Sequence, residues 1–394
     1  MSKWKTVRLD QIAQVSAGQN APQGFDKYSE KGIPFIKAGN LEYLVNGGSE
    51  FNVQKVSEDV AKSYRLKLFN EGTVVFAKSG MSCMKGYVYV LKNKCYVVNH
   101  LACITPINAD VVFSNYLKYY FMFHKPNKLI KDEAYPSISL SDICSLKIPL
   151  PPLDIQKQVA NTLDAVSEML SLRKQQIIEL DYLAKSIFYD MFGDPIKNDK
   201  GWEKEVLSRC CYVNPQKSEI DYFYDDLEIS FISMASVSVN GEIDTSDIRK
   251  YKEVKTGFTY FYENDVLFAK ITPCMENGKG AIARGLKNSI GFGSTEFHVL
   301  RPKKGISNSE WLYYLTTLPI FREIAEKSMT GSAGQKRVPA SFFDKYIVPL
   351  PPLSLQDKFA DIVAKTEEQK SIVKKAIADT QLLFDSLMSQ YFDQ

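Results

Sequence analysis

A proline-rich hexapeptide that leads into a long run of patterned apolar residues occurs twice, and this repeat constrains the fold most. The sequence reads IPLPPL at 148–153 and VPLPPL at 348–353, a shift of 200 residues. After each copy, apolar side chains recur at alternating spacings of three and four over roughly forty residues, the pattern of a coiled-coil helix. These apolar positions, called the helix seam below, are Val159, Leu163, Val166, Leu170, Ile177, Leu180 and Ile187, then Phe359, Val363, Val373, Ile377, Phe384 and Leu387. Both runs align without a gap, which indicates an internal duplication.

The length of each run predicts how the two helices bury their seams. A helix of roughly 38 residues is ~57 Å long, which exceeds the width of a domain of ~150 residues. Two such helices hide their seams most simply by packing on each other. Because a globular segment separates them in the chain, we predict an antiparallel pair. Polar residues interrupt the seam at Arg173, Thr366, Lys370 and Thr380, and we expect these to fix the register.

The chain of 394 residues is too long for one ordinary domain. Gly193 and Pro195 follow the first run and predict a left-handed helix end and a break. The predicted divisions are a globular segment at 1–150, a helix at 151–192, a connector at 193–201, a second globular segment at 202–350 and a second helix at 351–394.

Short mixed elements are predicted in both globular segments. Residues 33–41 and 72–80 predict a strand followed by a loop, 86–100 predict a β-hairpin, and 113–124 predict a helix. The second segment repeats these motifs with small insertions. We therefore predict an α+β fold with two similar mixed α/β domains, separated by two long antiparallel coiled-coil helices and related by duplication with pseudo-two-fold symmetry.

Composition and charge limit the kind of partner and the cellular location that the chain can have. The net charge is +3, and acidic residues outnumber basic ones in both helical runs, so the excess positive charge falls on the globular segments. That distribution favours a polyanionic partner. Seven scattered cysteines without a CxxC motif, no apolar leader and no stretch of 18 apolar residues predict a soluble cytoplasmic protein without a membrane association.

No constellation of catalytic residues is found in the sequence. The three histidines do not stand at metal-ligand spacing with cysteine or acidic residues, and no nucleophile elbow or phosphate-binding loop occurs. The sequence therefore predicts a protein that binds rather than reacts, with no catalytic, cofactor-binding or metal-binding residues of its own.

Several motifs together resemble the specificity subunit of Type I restriction-modification systems. They are the two (I/V)PLPPL helix starts with Gln156 and Gln356, the connector MFGDPIKNDKGW at 191–202, and the stretches FAKITPCMENGKGAIA at 268–283 and GSTEFHVLRP at 293–302. The similarity extends over the full chain. In the first globular segment, SGMSCMKG and VNHLACITP are more divergent counterparts.

The resemblance implies a non-catalytic DNA-recognition subunit that reads an asymmetric, bipartite double-stranded DNA site. It implies that the globular segments are two target-recognition domains, held by the antiparallel helices. Implied partners are two methyltransferase subunits and restriction subunits that act as translocase and nuclease. The cofactors S-adenosylmethionine, ATP and Mg²⁺ would lie on those partners of the hetero-oligomer, and none on this chain.

The polar loops of both globular segments suit DNA contact. Lys and Arg bind phosphate or guanine, and Asn and Gln pair with adenine edges. The candidate DNA-binding residues are Lys78, Ser79, Met81, Ser82 and Lys85, then Lys270, Thr272, Asn277 and Lys279, and finally Gln335, Lys336 and Arg337.

Two other functions are compatible with the same sequence. A DNA-recognition subunit of another methylating restriction enzyme, of the Type IIB or IIG kind, would share the helices, and only its partner genes would distinguish it. A helical scaffold that does not bind DNA is the other alternative. A salt titration separates DNA binding from the scaffold, because phosphate contacts make affinity fall steeply with added salt.

Overall fold

The computed structural model describes residues 4–217, 223–332 and 334–393. These residues form two compact units. Unit 1 contains residues 4–174 together with 375–393, and unit 2 contains the described residues between 175 and 374. Each unit therefore combines one globular segment with parts of both long helices.

Unit 1 begins with short strands and helices and ends in a long helix. Its strands are β1 (Thr6–Arg8), β2 (Ala13–Ala17), β3 (Ile33–Ile36), β4 (Lys55–Val56), β5 (Leu68–Phe69), β6 (Val74–Ala77), β7 (Val88–Val90), β8 (Cys95–Val97), β9 (Leu101–Pro106) and β10 (Lys147–Pro149). Its helices are α1 (Leu9–Ile12), α2 (Leu41–Val45), α3 (Glu58–Ser63), α4 (Ser114–His124), α5 (Leu140–Cys144) and the first part of α6 (Leu153–Phe192).

Unit 2 has ten strands in the same order. They are β11 (Glu203–Val206), β12 (Cys211–Val213), β13 (Glu228–Ile232), β14 (Ile248–Lys250), β15 (Thr259–Tyr262), β16 (Val266–Ala269), β17 (Gly280–Ile282), β18 (Ile290–Gly293), β19 (Phe297–Pro302) and β20 (Ile347–Leu350). Its helices are α7 (Leu207–Cys210), α8 (Tyr251–Val254), α9 (Ser309–Thr317), α10 (Pro319–Lys327) and the first part of α11 (Leu353–Phe392).

Sheet topology repeats strand for strand between the units. Unit 1 contains sheets ordered β2-β9-β6-β7, β4-β3-β8-β5 and β1-β10, and unit 2 contains β12-β19-β16-β17, β14-β13-β18-β15 and β11-β20. The central pairs β3–β8 and β13–β18 are parallel, and all the other strand pairs named here are antiparallel. Identical pairing in both units confirms the duplication inferred from the sequence.

The hairpin predicted at 86–100 is wrong. Strands β7 and β8 both lie in this stretch, but β7 pairs with β6 while β8 pairs with β3 and β5. Alternation of apolar and polar residues within a short stretch predicts which residues are extended. It does not predict which strand pairs with them. The helix predicted at 113–124 is confirmed by α4, and Gly193 adopts the predicted left-handed conformation with a φ of 79°.

Each proline-rich hexapeptide joins a strand to a long helix. Ile148 of β10 pairs with Val7 of β1, and Val348 of β20 pairs with Glu205 of β11. These two-stranded sheets hold the start of α6 and α11 against the first strand of the same globular segment. Both long helices contain 40 residues, and their bounds differ by the shift of 200.

A buried glutamine fixes each helix start to its globular segment. In unit 1 the Gln156 side chain accepts a hydrogen bond from the Phe113 backbone N–H at 2.9 Å and donates to the Val111 and Pro151 carbonyls at 2.9 and 2.8 Å. In unit 2 Gln356 repeats the arrangement with Asn308, Ile306 and Pro351 at 3.1, 3.0 and 2.9 Å. Both glutamines are fully buried.

The long helices pack antiparallel within each unit. In unit 1, Val159 and Leu163 share a core with Met388 and Phe392, while Arg173 contacts Thr380. The partner numbers fall as the α6 numbers rise, which is the signature of an antiparallel pair. In unit 2, Phe188 and Phe192 pack their rings on Phe359 at 5.6 and 5.2 Å. The predicted α+β fold class, with duplicated mixed domains and antiparallel long helices, is confirmed.

The structure places the helix seam in the interior of these packed pairs. Eight of its thirteen positions are buried, namely Val159, Leu163, Val166, Leu170, Leu180, Phe359, Val363 and Val373. The other five are half-buried, and they are Ile177, Ile187, Ile377, Phe384 and Leu387. Apolar burial of this kind contributes about 25 cal/mol per Å² and holds each pair together.

Polar side chains at the seam interruptions are satisfied inside the packed pairs. Arg173 donates to the Ala376 carbonyl and to the Thr380 hydroxyl in unit 1. In unit 2 the buried Lys370 ammonium lies 2.7 Å from the Asp181 carboxylate. A shift of one helix along the other would break the Arg173 contacts and the pair between Lys370 and Asp181, so the register has a polar determinant besides the apolar seam.

Candidate nucleic-acid interface

In unit 1 a polar loop follows strand β6 and lies beside a distant part of the chain. Loop 1 (residues 78–85) contains a 3₁₀ helix at Met81–Lys85. Its first residue, Lys78, donates its backbone N–H to the His100 carbonyl at 2.9 Å and accepts from the Ile138 N–H at 2.7 Å. Ser79 pairs with Ser137 in an isolated bridge, and its hydroxyl lies 2.8 Å from His100 Nδ1. Loop 1 is thereby joined to segment 1 (residues 135–138).

In unit 2 the equivalent loop has the same connections. Loop 2 (residues 270–279) follows strand β16, and the Lys270 N–H donates to the Glu296 carbonyl at 2.9 Å. The Lys270 carbonyl accepts from the Val338 N–H at 2.9 Å, and the Thr272 N–H donates to the Lys336 carbonyl at 3.0 Å. Loop 2 is therefore joined to segment 2 (residues 335–338).

The structure brings together the two groups of candidate residues in unit 2 that are far apart in the sequence. Ile271 and Arg337 form a bridge between loop 2 and segment 2. Lys270 and Thr272 thus lie beside Lys336 and Arg337, directly after strand β16. In unit 1 all five candidates, Lys78, Ser79, Met81, Ser82 and Lys85, lie on loop 1.

Side-chain exposure differs along the two loops. Met81 is 74% exposed, and Lys85, Asn277, Gln335 and Lys336 are also exposed. The remaining candidates are half-buried, and they are Lys78, Ser79, Ser82, Lys270, Thr272, Lys279 and Arg337. Every candidate therefore has surface that a ligand can reach.

Two of the basic candidate residues form ion pairs with carboxylates of the protein. The Arg337 guanidinium binds Glu296 through two bonds of 2.7 and 2.9 Å, and this contact holds the pKa of Glu296 below its usual range. Lys85 lies 2.6 Å from a Glu42 carboxylate oxygen. No ion pair among the described residues includes Lys78 or Lys336. The charge of these two lysines is therefore not neutralised by a carboxylate of the described residues.

Two further candidates make internal side-chain hydrogen bonds, and a third is affected by burial. The Lys279 ammonium donates to the Met234 carbonyl at 3.0 Å, and the Thr272 hydroxyl donates to Glu276 at 2.7 Å. Burial lowers the pKa of Lys270, and the nearby Glu296 opposes that shift. Lys279 and Thr272 serve the shape of loop 2, which leaves Asn277 as its exposed amide.

Sequence reasoning missed segment 1. Tyr135 is 81% exposed at the position that corresponds to Gln335, and Ser137 corresponds to Arg337. The shift of 200 residues that relates the long helices also relates segment 1 to segment 2. Applied to the three candidates of segment 2, that shift would have found segment 1 from the sequence alone.

A buried histidine contacts segment 2. His298 Nε2 donates to the Val338 carbonyl at 2.8 Å, and Nδ1 accepts from the Asn214 amide at 3.0 Å. This pattern matches the neutral ring with its proton on Nε2. Burial is the main cause that lowers the pKa of His298 from 6.5 to about 4.

Acid should therefore destabilise unit 2 through His298. Unfolded chains bind a proton at His298 near pH 6.5, whereas the folded protein does so only near pH 4, so stability falls as the pH drops between these values. At about 1.4 kcal/mol per pH unit, the free energy of unfolding falls by about 3 kcal/mol over this range. Urea unfolding at pH 7 and pH 4.5 should show a smaller acid loss in His298→Gln than in the original chain. Equal acid losses in the two proteins would contradict this role.

A metal site and a membrane-spanning helix are both absent from the part of the chain that the structure describes. Among residues 4–217, 223–332 and 334–393, no group of three or more His, Cys, Asp or Glu side chains could hold a metal ion. Within the same ranges, no helix has both the length and the apolar character to cross a membrane. The duplicated loops are therefore the strongest candidate for a binding site.

Comparison with protein families decides the classification. Residues 1–182 and 204–379 match the family described as the Type I restriction modification DNA specificity domain. The chain belongs to this family. The two matches cover both globular segments and much of both long helices, so this specificity family accounts for the duplication as well as for the fold.

Two curated relatives are specificity subunits from Escherichia coli. The EcoAI specificity subunit of a Type I restriction enzyme is 46% identical over 167 residues, which are 42% of this chain and 28% of the relative. The EcoEI specificity subunit is 41% identical over 173 residues, 43% of this chain and 28% of the relative. The chain thus spans less than a third of the length of these two relatives.

A solved structure supports the fold of this specificity-family chain. The crystal structure of a Type I restriction-modification S subunit from M. genitalium matches with a TM-score of 0.57 at 13% identity. The match covers 98% of this chain and 95% of that one. At this identity the likeness concerns the fold alone.

Proposed function

We propose that this chain is a non-catalytic DNA-recognition subunit of a Type I restriction-modification complex and reads an asymmetric, bipartite site. The observation that carries the proposal is that each unit joins a polar loop to a segment that is distant from it in the sequence. The two copies present different groups. Ser79 and His100 stand where Ile271 and Glu296 stand in unit 2, so each copy would read a different half-sequence.

The chemistry of the loops suits double-stranded DNA. The exposed amides of Asn277 and Gln335 have the donor and acceptor pair that matches an adenine edge. Lys78 and Lys336 would bind phosphate, which fixes the position of the protein without specifying sequence. The exposed Met81 provides an apolar contact of the kind that recognises a thymine methyl group.

The proposed division of labour follows the sequence boundaries. Residues 1–150 and 202–350 would be two target-recognition domains, residues 151–192 and 351–394 the spacer helices, and residues 193–201 a connector. Each domain would read its half-sequence independently, because unit 1 and unit 2 each have their own core.

Exposed apolar side chains on the long helices favour two copies of a helical partner. Leu172, Tyr182 and Leu183 are exposed on α6, and the residues 200 positions later, Ile372, Leu382 and Leu383, are exposed on α11 to nearly the same degree. Apolar surface that repeats with the duplication suits two equivalent docking sites. We assign these to two methyltransferase subunits.

The remaining assignments rest on the family. Restriction and translocase subunits would join the methyltransferase subunits in a cytoplasmic complex. S-adenosylmethionine, ATP and Mg²⁺ would be bound by those partners. This chain would contribute the DNA sequence preference of the assembly.

A salt titration tests the DNA contact. For a 40-bp duplex, we expect the affinity of the full chain with its partners to fall linearly on logarithmic axes as salt is added. Lys78→Gln and Lys336→Gln should each reduce the slope by about one, because each removes one phosphate contact. Lys157→Gln, an exposed lysine on α6, is the control and should leave the slope unchanged. Equal slopes for all four proteins would refute the assignment of these lysines.

A further inference from the structure

A buried arginine of unit 2 binds the backbone of loop 2. Arg322 lies on helix α10, and its guanidinium donates to the Met275 carbonyl at 3.0 Å, the Gly278 carbonyl at 3.4 Å and the Lys279 carbonyl at 3.3 Å. A fourth bond reaches the Thr316 carbonyl at 2.5 Å. Three of the four acceptors therefore belong to loop 2.

The chemistry of this contact is unusual for a buried charge. Arg322 is 6% exposed, and its guanidinium forms no ion pair among the described residues. Its neighbours are neutral carbonyls and the ring of Phe268, whose centroid is 4.3 Å away. Burial lowers the pKa of Arg322 to about 10, so the group stays protonated at neutral pH. A buried cation needs its hydrogen bonds, and here the folded loop provides most of them.

The carbonyls that Arg322 binds flank the exposed amide of Asn277. Gly278 adopts a φ of 82°, a conformation that side chains other than glycine rarely take. The loop also closes on itself, since the Asn277 and Lys279 N–H groups donate to the Pro273 and Cys274 carbonyls at 3.0 Å each. A shift of residues 275–279 would reorient Asn277 and break the contacts of the guanidinium together.

Unit 1 has a weaker version of the same contact. The 3₁₀ helix Pro126–Leu129 follows α4 as α10 follows α9. From it, the Asn127 amide donates to the Met84 carbonyl in loop 1 at 3.2 Å. One neutral bond therefore stands where unit 2 has three bonds from a cation, and charge-assisted hydrogen bonds are roughly twice as strong as neutral ones.

We propose that Arg322 is the positioning residue of loop 2, and that readout of the second half-sequence depends on its bonds to the Met275, Gly278 and Lys279 carbonyls. The second clause rests on the proposed function. The first stands on its own, and it predicts that loop 2 is held more rigidly than loop 1.

Hydrogen–deuterium exchange of the full chain tests the first clause without DNA. In Arg322→Lys, which keeps the charge but loses the planar guanidinium that reaches several carbonyls at once, the amides of residues 275–279 should exchange about tenfold faster or more. Strand β16 serves as the internal measure of global folding. Lys327→Gln, at an exposed position of the same helix, should leave loop 2 unchanged. Phe321→Leu perturbs the core beside Arg322 and should speed exchange in the core more than in the loop. Should Arg322→Lys not fold, Arg322→Gln replaces it.

Selection from a library of random duplex DNA tests the second clause. The original chain with its partners should enrich two half-sequences, and Arg322→Lys should reduce the preference for one of them by about tenfold or more while the other is kept. Asn127→Ala should reduce only the preference for the other half-sequence, and the reduction should be smaller than that caused by Arg322→Lys. Unchanged loop exchange, retention of both half-sequences, or their equal loss would overturn the proposal. If the original chain enriches no sequence, the proposed function fails, while the exchange result still decides whether Arg322 positions loop 2.

Discussion

Gln156→Ala is expected to lower the free energy of unfolding of the chain by about 4 kcal/mol. The substitution removes three hydrogen bonds at the start of α6 and leaves the Phe113 N–H and the Val111 and Pro151 carbonyls without their partner. Each buried polar group without a hydrogen bond costs about 1–3 kcal/mol. The side chain is fully buried, so water cannot readily replace the lost bonds.

An isosteric substitution separates hydrogen bonding from packing. Gln156→Glu preserves the shape, but a carboxylate cannot donate to the two carbonyls and adds a buried charge. It should destabilise the protein at least as much as Gln156→Ala at neutral pH. A purely steric role would make Gln156→Glu nearly harmless.

The matched control lies two residues away on the same helix. Gln158 is exposed, and Gln158→Ala should change the free energy of unfolding by less than about 0.5 kcal/mol. Urea unfolding of the full chain measures all three variants. Equal stability of Gln156→Ala and Gln158→Ala would contradict the account of how the helix is fixed.

Features with a repeated local pattern could be predicted from the sequence. The seam spacing and the shift of 200 residues predicted both long helices and their antiparallel pairing, because the period of apolar residues follows directly from helix geometry. Gly193 and Pro195 marked the end of α6 for equally local reasons. The repeated glutamines at the helix starts are part of the family resemblance, but no local pattern indicates the three hydrogen bonds that each one makes.

Features that depend on distant pairing could not be predicted. Strand β8 pairs in parallel with β3, about sixty residues earlier, and this non-local contact made the hairpin prediction wrong. Segment 1 was missed because it meets loop 1 through a bond between Ile138 and Lys78, across a similar separation. Arg337 was predicted as a basic residue, and only the fold shows its pairing with Glu296.

Arg322 is the clearest case of a residue that the sequence hides. It lies on an amphipathic helix among charged neighbours, where an arginine is ordinarily solvated. Only the three-dimensional contact with the carbonyls of loop 2 distinguishes it from the exposed Lys327 on the same helix.

Replacement of one globular segment by that of a relative should change one of the two half-sequences that the protein recognises. We expect a chain in which residues 1–150 come from another member of the specificity family to recognise one new half-sequence and to keep the other. Loop 1 and segment 1 lie entirely within the exchanged part, and loop 2 and segment 2 lie entirely outside it. The core that supports each pair of loop and segment belongs to its own unit.

Sequencing of methylated bases in cells tests this claim most directly. The original chain, the chimera at 1–150 and the reciprocal chimera at 202–350 are each expressed with the same methyltransferase and restriction subunits. The account predicts a bipartite methylated motif in which each chimera replaces a different half and leaves the remaining half intact. A motif that changes in both halves after a single exchange, or that does not change after either exchange, would contradict it.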